Sequence, residues 1–267
     1  MYPIDLARGN PLMPYSKFAS PHAAANDGDV SALLVRALER RDTMNASERT
    51  AIAAAVGEVR VHPAGNTLIR RGAPTESSTL LLSGFLGREY AAPDGRRQIV
   101  AVHVPGDFVD LHSLLLKRLD HDVVALSDVK VALFPHRALR VITETEPHLT
   151  RLLWLLTVID AAIHREWIAR LSYSAAIRLA HLVCELQARL DVVGLSSEQG
   201  FPFDLTQTDL GDMAGLTGVH VNRTLRRLRE DGLAVVRDGF ASIPDLAKLQ
   251  EFAAFDPAYL YLNPMPR

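Results

Sequence analysis

Between Thr217 and Arg229 the chain carries four arginines, Arg223, Arg226, Arg227 and Arg229, and no acidic residue. A guanidinium donates two parallel hydrogen bonds from a planar fork, which suits a phosphate or the major-groove edge of guanine. Set at helical spacing, Val221, Leu225 and Leu228 fall on one side, whereas Val219, His220, Arg223, Arg226 and Arg227 fall opposite. A solvated amphipathic helix usually mixes acids into such a face. The pattern therefore predicts a nucleic-acid surface.

Such a helix must be held in place, and residues Leu205 to Leu233 supply the means. Thr206 is suited to cap a first short helix whose buried stripe is Leu210, Met213 and Ala214, and Gly215 is suited to end it in the left-handed conformation. Thr217 then caps the arginine helix. Two short helices joined through a glycine form a helix-turn-helix. Downstream, Leu233 to Val236 and Ala241 to Ile243 flank Asp238-Gly239, a hairpin signal that adds a wing, on which Arg237 is expected either near a phosphate or with a surface salt partner.

The whole chain argues less plainly for such a role. Its 267 residues carry 29 basic and 31 acidic side chains, a formal charge of −2, so DNA binding must come from a local patch. The 48% hydrophobic and 22% charged content is that of a folded globular protein. A single cysteine, Cys184, excludes disulfide scaffolds, cysteine-ligated iron–sulfur clusters and multi-cysteine zinc sites. Flanked by Leu182, Val183 and Leu186, it reads as a small buried hydrophobe, with a redox-modulated thiol as the alternative. No serine elbow, Walker loop, paired-carboxylate motif or HExxH sequence supports an enzyme. With no signal peptide or membrane span in the sequence, a cytoplasmic protein is expected.

Upstream elements are organised differently. Helices are expected from about Asp29 to Arg40 and from about Asn45, and β-rich runs with turn signals follow from Glu58 to Phe134, the pattern of a small sandwich or barrel. Phe108 to Lys117 is expected to form a short helix. From Pro147, the residues Leu149, Leu152, Leu153, Leu156, Ile159, Ile163 and Trp167 recur at steps of three and four, predicting an amphipathic helix of about 35 Å. It either lies on its own β-domain or pairs two-fold with a copy of itself, and its length favours the pair. A further helix, Ala175 to Val192, is followed by a loop from Gly194 to Phe201.

The order of β-roll, long helix and winged helix-turn-helix resembles the Crp/Fnr family of bacterial transcription regulators. The likeness runs from about residue 31 to 247 and rests on Leu205-Thr206, Gly215-Leu216-Thr217, Val221-Asn222-Arg223-Thr224-Leu225 and Pro105-Gly106-Asp107-Phe108. It implies an α+β protein: a flexible arm (1–28), a cyclic-nucleotide-binding-like β-roll (29–145), a dimerisation helix (146–172), a winged helix-turn-helix (173–247) and a C-terminal helix and tail (248–267). The resemblance further implies a homodimer on a near-palindromic double-stranded DNA site, with RNA polymerase as a further partner and no membrane. Bases would be read from Gly218, Val219, Asn222 and Arg223, with Arg223 matching the guanine-reading arginine. Where relatives often carry a cytosine-reading glutamate this chain has Val219, whose methyls suit a thymine methyl, so a departure from the usual half-site is expected.

The same resemblance raises the question of an effector. Cyclic-nucleotide binding requires a glutamate for the ribose and an arginine with a hydroxyl for the phosphate. Here those positions fall near Leu111, Leu119 and Asp120, and Arg118 would serve only after a loop shift. Cyclic AMP is therefore not expected. His103, His112 and His121 invite haem or metal, but their spacing matches no ligand motif. The expected cofactor is none, with a cyclic-nucleotide-, haem- or redox-responsive regulator as the alternative. Phe252, Phe255, Tyr259 and Tyr261 should pack the tail on the DNA-binding domain, with a dimer or partner contact as the alternative.

Overall fold

The computed structural model describes residues 30–92 and 95–267. The expected N-terminal arm and the Pro93-Asp94 part of one turn lie outside them. Two helices, α1 (Ala32–Glu39) and α2 (Ala46–Ala55), open the described chain. Asn45 caps α2: its side chain accepts from Glu48 N at 3.0 Å while Glu48 Oε2 accepts from Asn45 N at 2.8 Å, a reciprocal capping box.

The roll consists of β1 (Val59–His62), β2 (Thr67–Ile69), β3 (Ser77–Ser83), β4 (Leu86–Ala91), β5 (Arg97–His103), β6 (Asp122–Ala125) and β7 (Val129–Pro135), with the four-residue α3 (Ser113–Leu116) before β6. One antiparallel sheet has the order β1-β7-β3 and the other β2-β6-β4-β5. Leu81, Leu86, Val109, Val123, Val129 and Val131 fill a common apolar core. Leu80, Leu82 and Phe134 pack instead with helical residues such as Leu34 and Leu152, and Ile99 and Val102 with residues of the C-terminal domain. Both faces of β3 and β7 are covered, which explains their continuous apolar runs. β4, read from the sequence only as an interval between turns, lies between β6 and β5.

A helix that the sequence reading did not anticipate, α4 (His136–Thr145), precedes α5 (Pro147–Arg170), which carries its proline where no amide hydrogen is needed. Five of the residues expected at a dimer interface, Leu149, Leu152, Leu153, Ile159 and Ile163, are buried within this chain, the first three against α4 and the roll and the last two beside Leu260. Leu156 and Trp167 are half-buried. These seven residues face the chain's own core, because that stripe is the one that closes the roll.

The C-terminal domain contains α6 (Ala175–Val192), β8 (Gly200–Pro202), α7 (Gln207–Ala214), α8 (Gly218–Glu230), β9 (Val235–Arg237), β10 (Phe240–Ser242) and α9 (Leu246–Ala253). The predicted hairpin is present, with both turn residues left-handed (Asp238 φ 53°, Gly239 φ 73°) as a two-residue primed turn requires. The expected loop after α6 contains β8, which pairs with β10. Gly200 makes this possible: at φ +130°, a Cβ would stand 1.8 Å from the Ala241 carbonyl oxygen. As expected, α9 with Phe252 and Phe255 packs on the C-terminal core, but the chain beyond it goes elsewhere. A 3₁₀ turn (Pro257–Leu260) packs on α5, and the chain end crosses to the first helices, where Met265 N donates to Arg41 O and Arg267 N to Asp42. Among the described residues no helix is long and apolar enough to cross a membrane.

Where α5 begins, His148 sits between Glu48 (2.6 Å) and Asp42 (3.2 Å), and hydrogen bonds to these carboxylates raise its pKa above the usual value of 6.5. A raised folded-state pKa stabilises fully below the unfolded value and is lost as pH rises through the folded one. The His148→Gln protein should therefore melt below the parent at pH 6, with the gap narrowing by pH 9. An equal gap at both values would show that the proton is not linked to folding.

Candidate nucleic-acid interface

The geometry of the helix-turn-helix is set at its caps. Thr206 has an extended backbone (φ −79°, ψ 162°); its Oγ1 accepts from Asp209 N (3.1 Å) and donates to Asp209 Oδ2 (2.7 Å), which also accepts from Thr206 N (2.9 Å). Gly215 ends α7 at φ 62°, ψ 40°. Thr217 then caps α8 by accepting from His220 N at 3.4 Å. Both threonine hydroxyls thus serve the helices directly. Gly211 adds a constraint that the sequence reading missed, since a Cβ there would lie 2.8 Å from Leu216 O, in the turn between the helices.

On α8, Val221 and Leu228 are fully buried and Leu225 packs partly against the same core. Thr224 is also buried, its hydroxyl donating to the His220 carbonyl. His220, expected on the outer face, is half-buried because it flanks this inner stripe. Gly218, Asn222, Arg223, Arg226 and Arg227 are exposed, and Val219 is 84% exposed. Among the described residues Arg223 and Arg226 form no ion pair, while Arg227 reaches Asp231 only at 3.5 Å with both side chains in solvent. On the wing, Arg237 is exposed beside Asp238 at 3.8 Å. Asn222 Nδ2 donates to Gln207 Oε1 at 3.5 Å, so α7 steadies a side chain on the outer face of α8.

The acids of α7 have a partner outside this domain. Arg97 of β5 bonds Asp209 at 2.5 Å and Asp212 at 2.7 Å, with Glu89 at 3.8 Å. Sequence periodicity carries no signal for this contact, which joins residues more than a hundred positions apart. It occupies two carboxylates on α7 and leaves the arginine face of α8 unopposed. Behind the motif α6 forms the platform. Its Glu185, fully buried, accepts from Arg189 (3.0 Å), Trp167 (3.1 Å) and Tyr259 (2.8 Å), joining α5, α6 and the tail. Cys184 is 1% exposed, and burial pushes its thiol up to about 12, leaving it protonated and poorly nucleophilic.

The positions in the roll where the family resemblance would put a cyclic-phosphate site carry apolar or already engaged side chains. Leu111 and Leu119 are buried among apolar side chains, and the Asp120 carboxylate receives the Tyr90 hydroxyl at 2.8 Å and contacts His121 at 2.7 Å. Arg118 is engaged with the Gly72 carbonyl, and Arg88 donates to Val109 O and to Asp160. Among the described residues no cluster of three metal-capable donors occurs. His112 and His121 approach with ring centroids 5.9 Å apart, and burial lowers the pKa of both and of His103.

Comparison with known proteins agrees with this architecture. The Crp-like helix-turn-helix domain matches residues 177–252 and the cyclic nucleotide-binding domain matches residues 59–146. The transcriptional activator protein FnrL of Cereibacter sphaeroides is 27% identical over 215 residues, covering 79% of this chain and 86% of that protein. The nitrogen fixation regulation protein FixK of Bradyrhizobium diazoefficiens is 29% identical over 197 residues, covering 73% and 82%. Among solved structures, FixK2 from Bradyrhizobium japonicum superposes with a TM-score of 0.66 at 22% identity, over 74% of this chain and 98% of that one. A roll, a long helix and a capped, arginine-faced helix-turn-helix in this order place the chain in the Crp/Fnr family, as a DNA-binding transcription regulator rather than an enzyme.

Proposed function

We propose that the protein acts as a homodimer on a near-palindromic DNA site, reading each half-site with Gly218, Val219, Asn222 and Arg223 while Arg226, Arg227 and Arg237 contact phosphates. The observation that carries this reading is the exposed face of α8, where arginines without ion-pair partners stand on a helix capped at Thr217. A second exposed stripe on α5, apolar at its centre, supports the dimer. Arg151, Trp154, Val158, Ala161, Arg165 and Ile168 are exposed at steps of three and four, the spacing of a coiled-coil seam, and Trp154 and Ile168 are 69% and 67% exposed. This seam replaces the buried stripe as the proposed interface.

The roll, with leucines and a paired aspartate where a cyclic phosphate would need a glutamate and an arginine, serves this function without cyclic nucleotide bound in the usual way. Binding in the reducing cytoplasm and a contact with RNA polymerase complete the reading, supported by relatives named as transcriptional activators.

Three outcomes test it. Arg223→Ala should cost about 1–3 kcal/mol on the selected site and relax one base position, with little loss on random DNA; equal weakening on both would make Arg223 a phosphate contact. In a binding selection, Val219→Glu should shift one half-site position towards cytosine, and an unchanged selected sequence would remove Val219 from the base-reading set. Trp154→Glu with Ile168→Glu should convert the dimer to a folded monomer in sedimentation. A dimer that persists would place the interface elsewhere.

A further inference from the structure

A chamber of about 250 Å³ opens where the roll, α5 and the helix-turn-helix meet. Its apolar wall comes from four elements: Ile99 of β5, Trp167 of α5, Leu179 and Leu182 of α6, and Met213 of α7. At roughly 30 Å³ per water-sized group, it has room for about eight such groups.

Two polar side chains on this wall lack the partners that buried nitrogens ordinarily find. Arg178 donates through Nη1 to Ala214 O at 2.8 Å, but its buried Nε has no partner and it forms no ion pair among the described residues. His181 is 3% exposed, and its Nε2 has no partner closer than Glu166 Oε1 at 3.5 Å, a carboxylate that Arg170 already engages. Burial holds the His181 pKa at about 4, so the ring is neutral at pH 7. The surrounding charges are already matched: Glu166 pairs with Arg170 at 2.6 Å, and His164 contacts the Asp160 carbonyl. Arg178 is the cation left without a counter-charge.

We propose that this chamber binds a small amphipathic organic acid, its hydrocarbon body lying against Trp167, Leu179 and Met213 and its carboxylate on Arg178 and His181. A carboxylate supplies the acceptor and negative charge that Arg178 lacks, and the apolar wall takes up the part of the ligand that water solvates poorly. The wall draws on the roll, the long helix and both α6 and α7, so an occupant would touch the two helices, α6 and α7, that pack against α8. The site does not rest on the DNA reading, although Ile168 of the proposed dimer seam lies at its rim.

The test is calorimetry of the full chain with octanoate as probe and octanol as its neutral analogue, in the absence of DNA. Octanoate should bind saturably. Arg178→Gln should weaken it at least about tenfold while leaving octanol unchanged, the loss expected for one charge-assisted contact. Met213→Phe, which fills the chamber, should remove both, with an unchanged circular dichroism spectrum showing that the fold is kept. No saturable heat at millimolar octanoate, or heat that survives both substitutions, would overturn the proposal. Conversion of dimer to monomer by octanoate in sedimentation would also overturn it, by assigning this surface to a second copy of the chain.

Discussion

Helix α5 has to satisfy two apolar demands at once. Leu149, Leu152, Leu153, Ile159 and Ile163 close the roll and the tail, and each fully buried leucine or isoleucine contributes about 1.5–3 kcal/mol of burial. A 24-residue helix is about 36 Å long, and that inner stripe uses only part of its circumference. Trp154, Val158, Ala161 and Ile168 are left on the outside at coiled-coil spacing. The proposed pairing of two protomers, and with it the separation of two recognition helices, depends on this leftover seam.

Partly buried ion pairs then join the domains to one another and to that helix. Arg88 reaches from the roll to Asp160 of α5 at 2.7 Å, Arg189 of α6 reaches Asp107 beside the roll at 2.6 Å, and Arg97 reaches α7. Such pairs lose much of their attraction to desolvation, so they are weak as sources of stability but specific as to register. They also explain how a chain of charge −2 presents a basic face. Acids on α7 are neutralised from the roll, while the arginines on the outer side of α8 keep their charge for a partner.

Local signals in the sequence were strong where geometry is local. Thr206, Gly215 and Thr217 cap and end helices through contacts within a few residues, and Asp238-Gly239 sets its turn by backbone conformation alone. The ends of α6 were equally legible, because Ser174 caps one and Gly194 follows the other. Less accessible were features made by distant pairing. β8 depends on β10 forty residues later, and β4, with its Gly87, Arg88 and Glu89, has no apolar alternation to announce it. On α5, periodicity found the helix but selected the face that its own chain covers. A stripe of leucines looks the same from sequence whether its partner is intramolecular or a second copy, and only burial separates the two.

The central claim is that two copies of α8, held together by α5, read DNA as a unit. The most direct measurement is the affinity of the purified protein for duplexes carrying two selected half-sites at different spacings. Tight binding of two chains per duplex should occur when the half-sites are about one helical turn apart, with a steep loss when half a turn is inserted. Equal affinity at every spacing, or one chain per duplex binding as tightly as two, would contradict the account.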